Sequence, residues 1–193
     1  CSRSRMPEIS IPHEWTPRPH QLGLFKAYDE GTKRFCVVWH RRAGKDSAFL
    51  NLTAKAMLER VGTYWCLFPY QTQARKAIWN GIDSQGRKIL DQVFPQEIRK
   101  RTSSQEMLIE LVNGSTFQLA GSDNYDSLLG SNAVGVVFSE WSLCDPNAWG
   151  YIRPILVEND GWAGFIYTPR GKNHGWSLYN MARKSEGWYC ENL

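Results

Sequence analysis

The chain has 193 residues, of which 42% are hydrophobic and 22% charged, and its net charge is +4. That length and balance describe about one globular domain with enough apolar material for a real core. No apolar run approaches the roughly 20 residues of a membrane span, and no signal peptide is read at the start, so membrane-spanning and secreted classes are set aside. The five cysteines, Cys1, Cys36, Cys66, Cys144 and Cys190, are dispersed without CxxC pairs or metal-ligand spacing. An odd, scattered set points to reduced thiols in a cytosol-like compartment.

In chain order, residues 1–19 are rich in Pro, Arg and Ser and read as an extended lead-in. Leu22, Phe25 and Tyr28 have helical spacing and predict a helix over 20–31, ended by Gly31. Residues 34–40 predict a short apolar strand, 45–60 a helix, and 62–69 a second buried strand closed by Pro69. Residues 70–94 predict a long helical region open to a break at Gly81 or Gly86. A hairpin is expected over 106–122, around the Asn113-Gly114 turn signal. Residues 132–141 predict a fully buried strand with a polar end, and 145–159 a helix that Pro154 can kink. A further buried strand over 161–171 runs into a polar loop, and 176–187 predict a last helix. Neither an internal repeat nor a low-complexity tract is present.

Strands alternating with helices, each strand apolar throughout, mean a mostly parallel central sheet with helices on both faces. Ligands bind such sheets at the carboxyl ends of the strands. Those ends are His40–Lys45, Pro69–Tyr70, Ser139–Glu140 and Thr168–Gly171. Basic residues also cluster, at Arg41–Arg42, Arg75–Lys76, Arg99–Lys100–Arg101, Arg170 with Lys172, and Arg183–Lys184. Each pair taken alone is a solvated face; together they permit a polyanionic partner. The nine tryptophans fall mostly inside apolar runs and read as core packing, not as a base-stacking surface.

The stretch CVVWHRRAGKDSAFL, residues 36–50, follows a strand, opens a helix, and nearly matches the phosphate-binding pattern G-x-x-x-x-G-K-[ST]. Trp39 stands where the first glycine belongs and Asp46 where the Ser or Thr belongs. Lys45 heads the helix, whose free N–H groups and dipole suit phosphate, and Gly44 lets backbone approach. A lone GK at a strand–helix join is a weak signal; two preceding arginines strengthen it. The nucleotide-binding set is then His40, Arg41, Arg42, Ala43, Gly44, Lys45, Asp46 and Ser47. Glu140, just past an apolar strand, is placed to act as a general base on water; its structural alternative is merely to start a turn. Asp46 and Ser139 carry a carboxylate and a hydroxyl in exchanged places, and with Ser47 they form the candidate Mg2+ set. The plainer alternative leaves Asp46 as a helix-start residue, with Ser47 supplying the hydroxyl.

These residues resemble the ATPase domain of a tailed-phage terminase large subunit. The likeness runs through WTPRPHQ (15–21), VVWHRRAGKD (37–46), LFPYQTQARKAIW (67–79), GSDNYDSLLGSNAVGVVFSEW (121–141) and IYTPRGKNHGW (166–176). The resemblance implies an α/β P-loop NTPase of the ASCE class, with ATP as substrate and Mg2+ as cofactor. It implies hydrolysis that drives double-stranded DNA into a procapsid, by a homo-oligomeric ring with a portal protein and a small terminase subunit as partners. The place of action would be the host cytoplasm, docked on the procapsid. It also implies that Pro17, Arg18 and Gln21 contact the adenine, and that Arg42 and Lys45 grip the phosphates with Arg41 as a positional variant. Glu140 becomes the catalytic glutamate, and Thr168 with Arg170 the coupling motif. An arginine acting across subunits is expected among Arg99, Lys100, Arg101 and Arg170, with Arg101 first. Ser139 departs from the usual aspartate, and Leu129, beside Gly130, from a common arginine. Residues 1–193 are expected to be a single ATPase domain without the nuclease domain of such subunits. A helicase-like ASCE ATPase and a degenerate nucleotide-binding scaffold are the alternative readings.

Overall fold

A computed structural model describes residues 16–40, 44–128, 132–169 and 171–192. Its strands are β1 (Arg34–Val38), β2 (Thr63–Phe68), β3 (Arg99–Ser103), β4 (Leu108–Leu111), β5 (Thr116–Gly121), β6 (Ala133–Ser139), β7 (Trp162–Tyr167) and β8 (Trp188–Asn192). They form one 8-stranded sheet in the order β3-β4-β5-β2-β6-β7-β1-β8. From β5 to β8 every pairing is parallel, while β3, β4 and β5 form an antiparallel extension. The strands at the centre, β2, β6 and β7, are buried almost without interruption, as expected where helices cover both faces.

The helices are α1 (Leu22–Asp29), α2 (Lys45–Glu59), α3 (Gln71–Ala74), α4 (Ile89–Val93), α5 (Pro146–Glu158) and α6 (His174–Ala182). Side chains alternate across a strand, so residue parity divides the core in two. Phe35, Val37, Tyr64, Cys66, Val137 and Ile166 face α1 and α2. Cys36, Val38, Trp65, Leu67, Phe138 and Phe165 face α5 and α6. On the α2 side a Cβ at Gly164 would lie 2.4 Å from the Phe49 ring, so glycine here admits the helix close to the sheet. On the other side Phe138 and Phe165 stack at 5.1 Å, with Trp141 edge-on to Phe165 at 4.9 Å.

The predicted strands at 34–40, 62–69, 132–141 and 161–171 and the 106–122 hairpin are all present, with trimmed ends. The region 70–94 is helical with the expected break, which falls at Gly81: α3 passes into a π turn over Arg75–Trp79 and stops, and α4 follows. At Gly81 a Cβ would meet the Ala77 carbonyl at 2.3 Å, so only glycine lets the chain fold back there toward α4. Residues 99–103, read as a polar stretch, form the edge strand β3, whose exposed cations suit a sheet edge. The last helix starts earlier, at His174, because the Asn173 side chain accepts from the Gly175 N–H at 3.0 Å and caps it. After it the chain forms β8, which was not anticipated. Helix α5 runs on through Pro154, which sits on its exposed side. Among the described residues no helix is long and apolar enough to cross a membrane.

Candidate functional site

Parallel pairing puts the carboxyl ends of β1, β2, β6 and β7 on one edge of the sheet, with β7 between β1 and β6. Past β1, Trp39 is fully buried and packs edge-on with His20 at 5.1 Å, while His40 is exposed. The position of the first glycine is therefore a core position in this chain. Arg41, Arg42 and Ala43 lie outside the described residues, as do Leu129, Gly130 and Arg170. Gly44 adopts φ 71 and ψ 35 as the N-cap of α2, a left-handed conformation that favours glycine. Gln21 braces it: its amide nitrogen donates to the Gly44 carbonyl at 3.2 Å and its oxygen accepts from the Arg18 N–H at 2.9 Å. Pro17 is half-buried and Arg18 exposed beside this brace. The N-terminal turn and the loop before α2 are thus one bonded unit.

Lys45 opens α2 and is 4% exposed, with Nζ donating to Thr168 Oγ1 at 3.2 Å. Beside it, Ser139 Oγ donates to Asp46 Oδ1 at 2.6 Å across 93 positions of sequence. Ser139 is fully buried. Burial pushes the Asp46 carboxyl above the usual carboxylate range, opposed by the Ser139 bond and the Lys45 charge. Ser47 is half-buried, and its carbonyl accepts from Asn51 Nδ2 at 2.8 Å. Among the described residues no group of three or more His, Cys, Asp or Glu gathers as an all-protein metal cage. One carboxylate with neighbouring hydroxyls is what magnesium uses when phosphates and water complete its shell.

Glu140 follows β6 with φ 54 and ψ 45, the left-handed region that a non-glycine residue enters only at a cost. The turn Trp141–Leu143 after it is tied down from two sides. His174 Nε2 lies 2.6 Å from the Trp141 carbonyl, and Asn173 Nδ2 donates to the Ser142 carbonyl at 3.3 Å. Ser142 Oγ in turn lies 3.5 Å from the Thr168 carbonyl. The glutamate turn, the Thr168 loop and the start of α6 are therefore hydrogen-bonded to one another. Asn173, Ser142 and His174 escaped sequence reasoning; an asparagine just before a helical pattern was the available signal.

No family model matches the chain. The terminase large subunit of Escherichia phage T5 is 30% identical over 164 residues, covering 82% of this chain and 35% of that protein. The terminase large subunit of Thermus phage G20c is 25% identical over 186 residues, covering 89% of this chain and 37% of that protein. The chain thus spans little more than a third of the length of these curated relatives. The large terminase ATPase domain of Thermus phage P74-26 superposes with a TM-score of 0.72 at 20% identity, over 93% of this chain and 82% of that one. This chain belongs with the ATPase domains of terminase large subunits. A large terminase of a thermophilic bacteriophage, solved in complex with ADP, has the same fold, with a TM-score of 0.72 at 12% identity over 91% of this chain and 44% of that one.

In this terminase-type domain Arg99, Lys100 and Arg101 are members of β3. Arg99 is committed to structure: its guanidinium donates to the carbonyls of Phe94 at 2.7 Å and Leu90 at 2.9 Å, and pairs with Asp91. Arg101 is exposed and lies 3.5 Å from Glu110, on the sheet edge farthest from β1 and β8. That position separates it from its own chain's phosphate loop. Along the start of α2 runs an open groove of about 790 Å³ lined by Asp46, Ser47 and Leu50, and by Ile78 and Asp83 opposite. Its far wall depends on the fold-back at Gly81.

Proposed function

We propose that this chain binds ATP with magnesium and hydrolyses it, as the motor region of a terminase that moves double-stranded DNA. One observation carries the reading: a buried lysine, a carboxylate–hydroxyl pair and a glutamate on strained backbone meet at one carboxyl edge of a parallel sheet. Lys45, at the N-terminus of α2, supplies positive charge where the helix already favours phosphate. Glu140 accepts the proton of the attacking water. The Lys45–Thr168 bond gives the coupling loop, Thr168 with Arg170, a way to sense nucleotide. Phosphates compete for the lysine, and Thr168 loses its donor. Pro17, Arg18 and Gln21, the last two of them lying against Gly44, are the neighbours of the base, and His40 to Ser47 the cradle of the phosphates.

Magnesium, when bound, shares the charge of the phosphates. Asp46, Ser139 and Ser47 are the residues to hold it. In a usual site of this class the loop contributes the hydroxyl and the strand end the carboxylate; here Asp46 and Ser139 supply the same two groups from exchanged places. The family resemblance adds a homo-oligomeric ring, a portal protein and a small subunit as partners, in the host cytoplasm at the procapsid.

The test is to measure nucleotide binding and turnover in the 193-residue chain and in Lys45→Ala, which is expected to lose both. Asp46→Ser and Ser139→Asp are each expected to weaken Mn2+ binding, read by paramagnetic resonance in the presence of nucleotide, and the double change to restore much of it. A double variant no better than the worse single one refutes the exchange. A Lys45→Ala protein that binds and turns over ATP like the parent refutes the function.

A further inference from the structure

The surface that α6 turns to solvent takes part in none of these steps. Between residues 161 and 185 the sequence has no Asp or Glu, but it has Arg170, Lys172, Arg183 and Lys184. These are four of the 23 Lys and Arg, and the other 19 balance the 19 Asp and Glu. The segment therefore carries four positive charges with no acid of its own to offset them.

The fold displays that charge. Lys172, Arg183 and Lys184 are exposed, and none forms an ion pair among the described residues. Trp176 is 47% exposed, against the core packing that its sequence setting suggested. Trp176, Tyr179 and Arg183 recur at helical spacing along one face. Lys172 Nζ stands 5.5 Å over the Trp176 ring, and the Arg183 guanidinium 5.9 Å from the Tyr179 ring. Resting on aromatic rings, the two cations are held in place before any ligand arrives, which lowers the entropy lost on binding. Trp176, Tyr179 and Arg183, with Pro169 and Gly171, also line a cleft of about 420 Å³ whose lining includes no Asp or Glu.

We propose that this face of α6, with Lys172 and Lys184 at its ends, binds the phosphate backbone of duplex DNA without regard to sequence. The backbone of a duplex presents a regular row of one sign of charge, contacted by Lys and Arg without sequence information, and this segment offers the complementary sign only. The start of α6 is bonded through His174 and Asn173 to the turn that carries Glu140. A load on the helix is therefore applied next to the catalytic edge. The proposal rests on the motor reading, since it names where the motor holds its track.

The experiment is fluorescence anisotropy of a labelled duplex of mixed sequence with the full chain, over a series of salt concentrations. The triple variant K172E/R183E/K184E is expected to lose about tenfold or more in affinity and about 2–3 in the slope of log affinity against log salt. W176A is expected to weaken binding less and to leave the slope unchanged, and a duplex of permuted sequence to bind equally. ATP turnover without DNA should stay within about twofold of the parent, since none of these residues serves that site. If the reversal also lowers the melting temperature, the neutral variant K172Q/R183Q/K184Q decides. Unchanged affinity and slope in the neutral variant overturn the proposal. So does a parent chain that binds polyglutamate but no duplex. DNA binding that falls as expected in a chain that hydrolyses no ATP keeps this surface and refutes the motor reading alone.

Discussion

Glu140 sits at φ 54 and ψ 45 immediately after β6, and its side chain makes no hydrogen bond or ion pair among the described residues. Holding a residue with a side chain in the left-handed region costs roughly 1–2 kcal/mol. Glycine removes that cost but loses about 0.5–1 kcal/mol through the greater freedom of its unfolded chain. Glu140→Gly is therefore expected to stabilise the fold by about 0.5–1 kcal/mol, or ~1–4 °C in melting temperature for a chain of this size. The same change removes the proposed base, so turnover should fall by about 100-fold or more. Glu140→Gln separates the two effects: it keeps the backbone strain and the side-chain bulk but cannot take a proton. It is expected to melt with the parent while losing turnover to the same extent and still binding ATP. Differential scanning fluorimetry and a coupled ATPase assay on the three proteins decide the matter. A glycine variant that melts below the parent, or either variant turning over at the parental rate, refutes the reasoning.

Ser139→Ala deletes the hydroxyl that donates to Asp46 at 2.6 Å; leaving a buried carboxyl without that bond is expected to cost about 1–3 kcal/mol in urea unfolding. Gly164→Ala places a methyl group 2.4 Å from the Phe49 ring, and overpacking of this kind is expected to cost about 1–3 kcal/mol by the same measurement. For Arg101, an assembled mixture of Lys45→Ala chains with Arg101→Ala chains is expected to recover ATP turnover that neither has alone, because an arginine supplied by a neighbour is worth about a thousandfold in related motors. Zero recovery in a mixture shown to co-assemble removes Arg101 from that role.

The parallel strands were legible because burial on both faces writes itself as an unbroken apolar run, and four such runs set both the sheet and its functional edge. The hairpin was legible for a local reason, the Asn113-Gly114 turn, with Gly114 at φ 98. β3 was not legible, since Arg99 to Ser103 carry no apolar alternation and become a strand only by pairing with β4. β8 failed for a similar reason: its half-buried residues are strand because β1 offers an open edge, with Cys190 opposite Cys36. The break within the helical region 70–94 was legible from its two glycines, but not which of Gly81 and Gly86 would carry it. A Cβ at Gly81 meets a backbone carbonyl, and the chain turns there whatever its propensity.

Trp39 and Asp46 are both departures from the phosphate-loop pattern, yet they differ in kind. Trp39 is buried among core residues, and its departure is answered locally by His20 and by Gly44, which does the close approach instead. Asp46 is answered 93 positions away, by a serine where a carboxylate is usual. One-dimensional reading can notice each substitution, but that the two are complementary is a statement about contact, and the contact is made only when β6 is laid beside β7 and β7 beside β1. Donors around a hard cation are selected by their distance and chemistry, not by their order in the chain. Once two positions touch, their carboxylate and hydroxyl can trade places at little cost, provided both change. Either change alone leaves two carboxyls or two hydroxyls facing each other in a buried place, which is why the paired exchange, more than either substitution, bears on the proposal that Asp46 and Ser139 hold magnesium together.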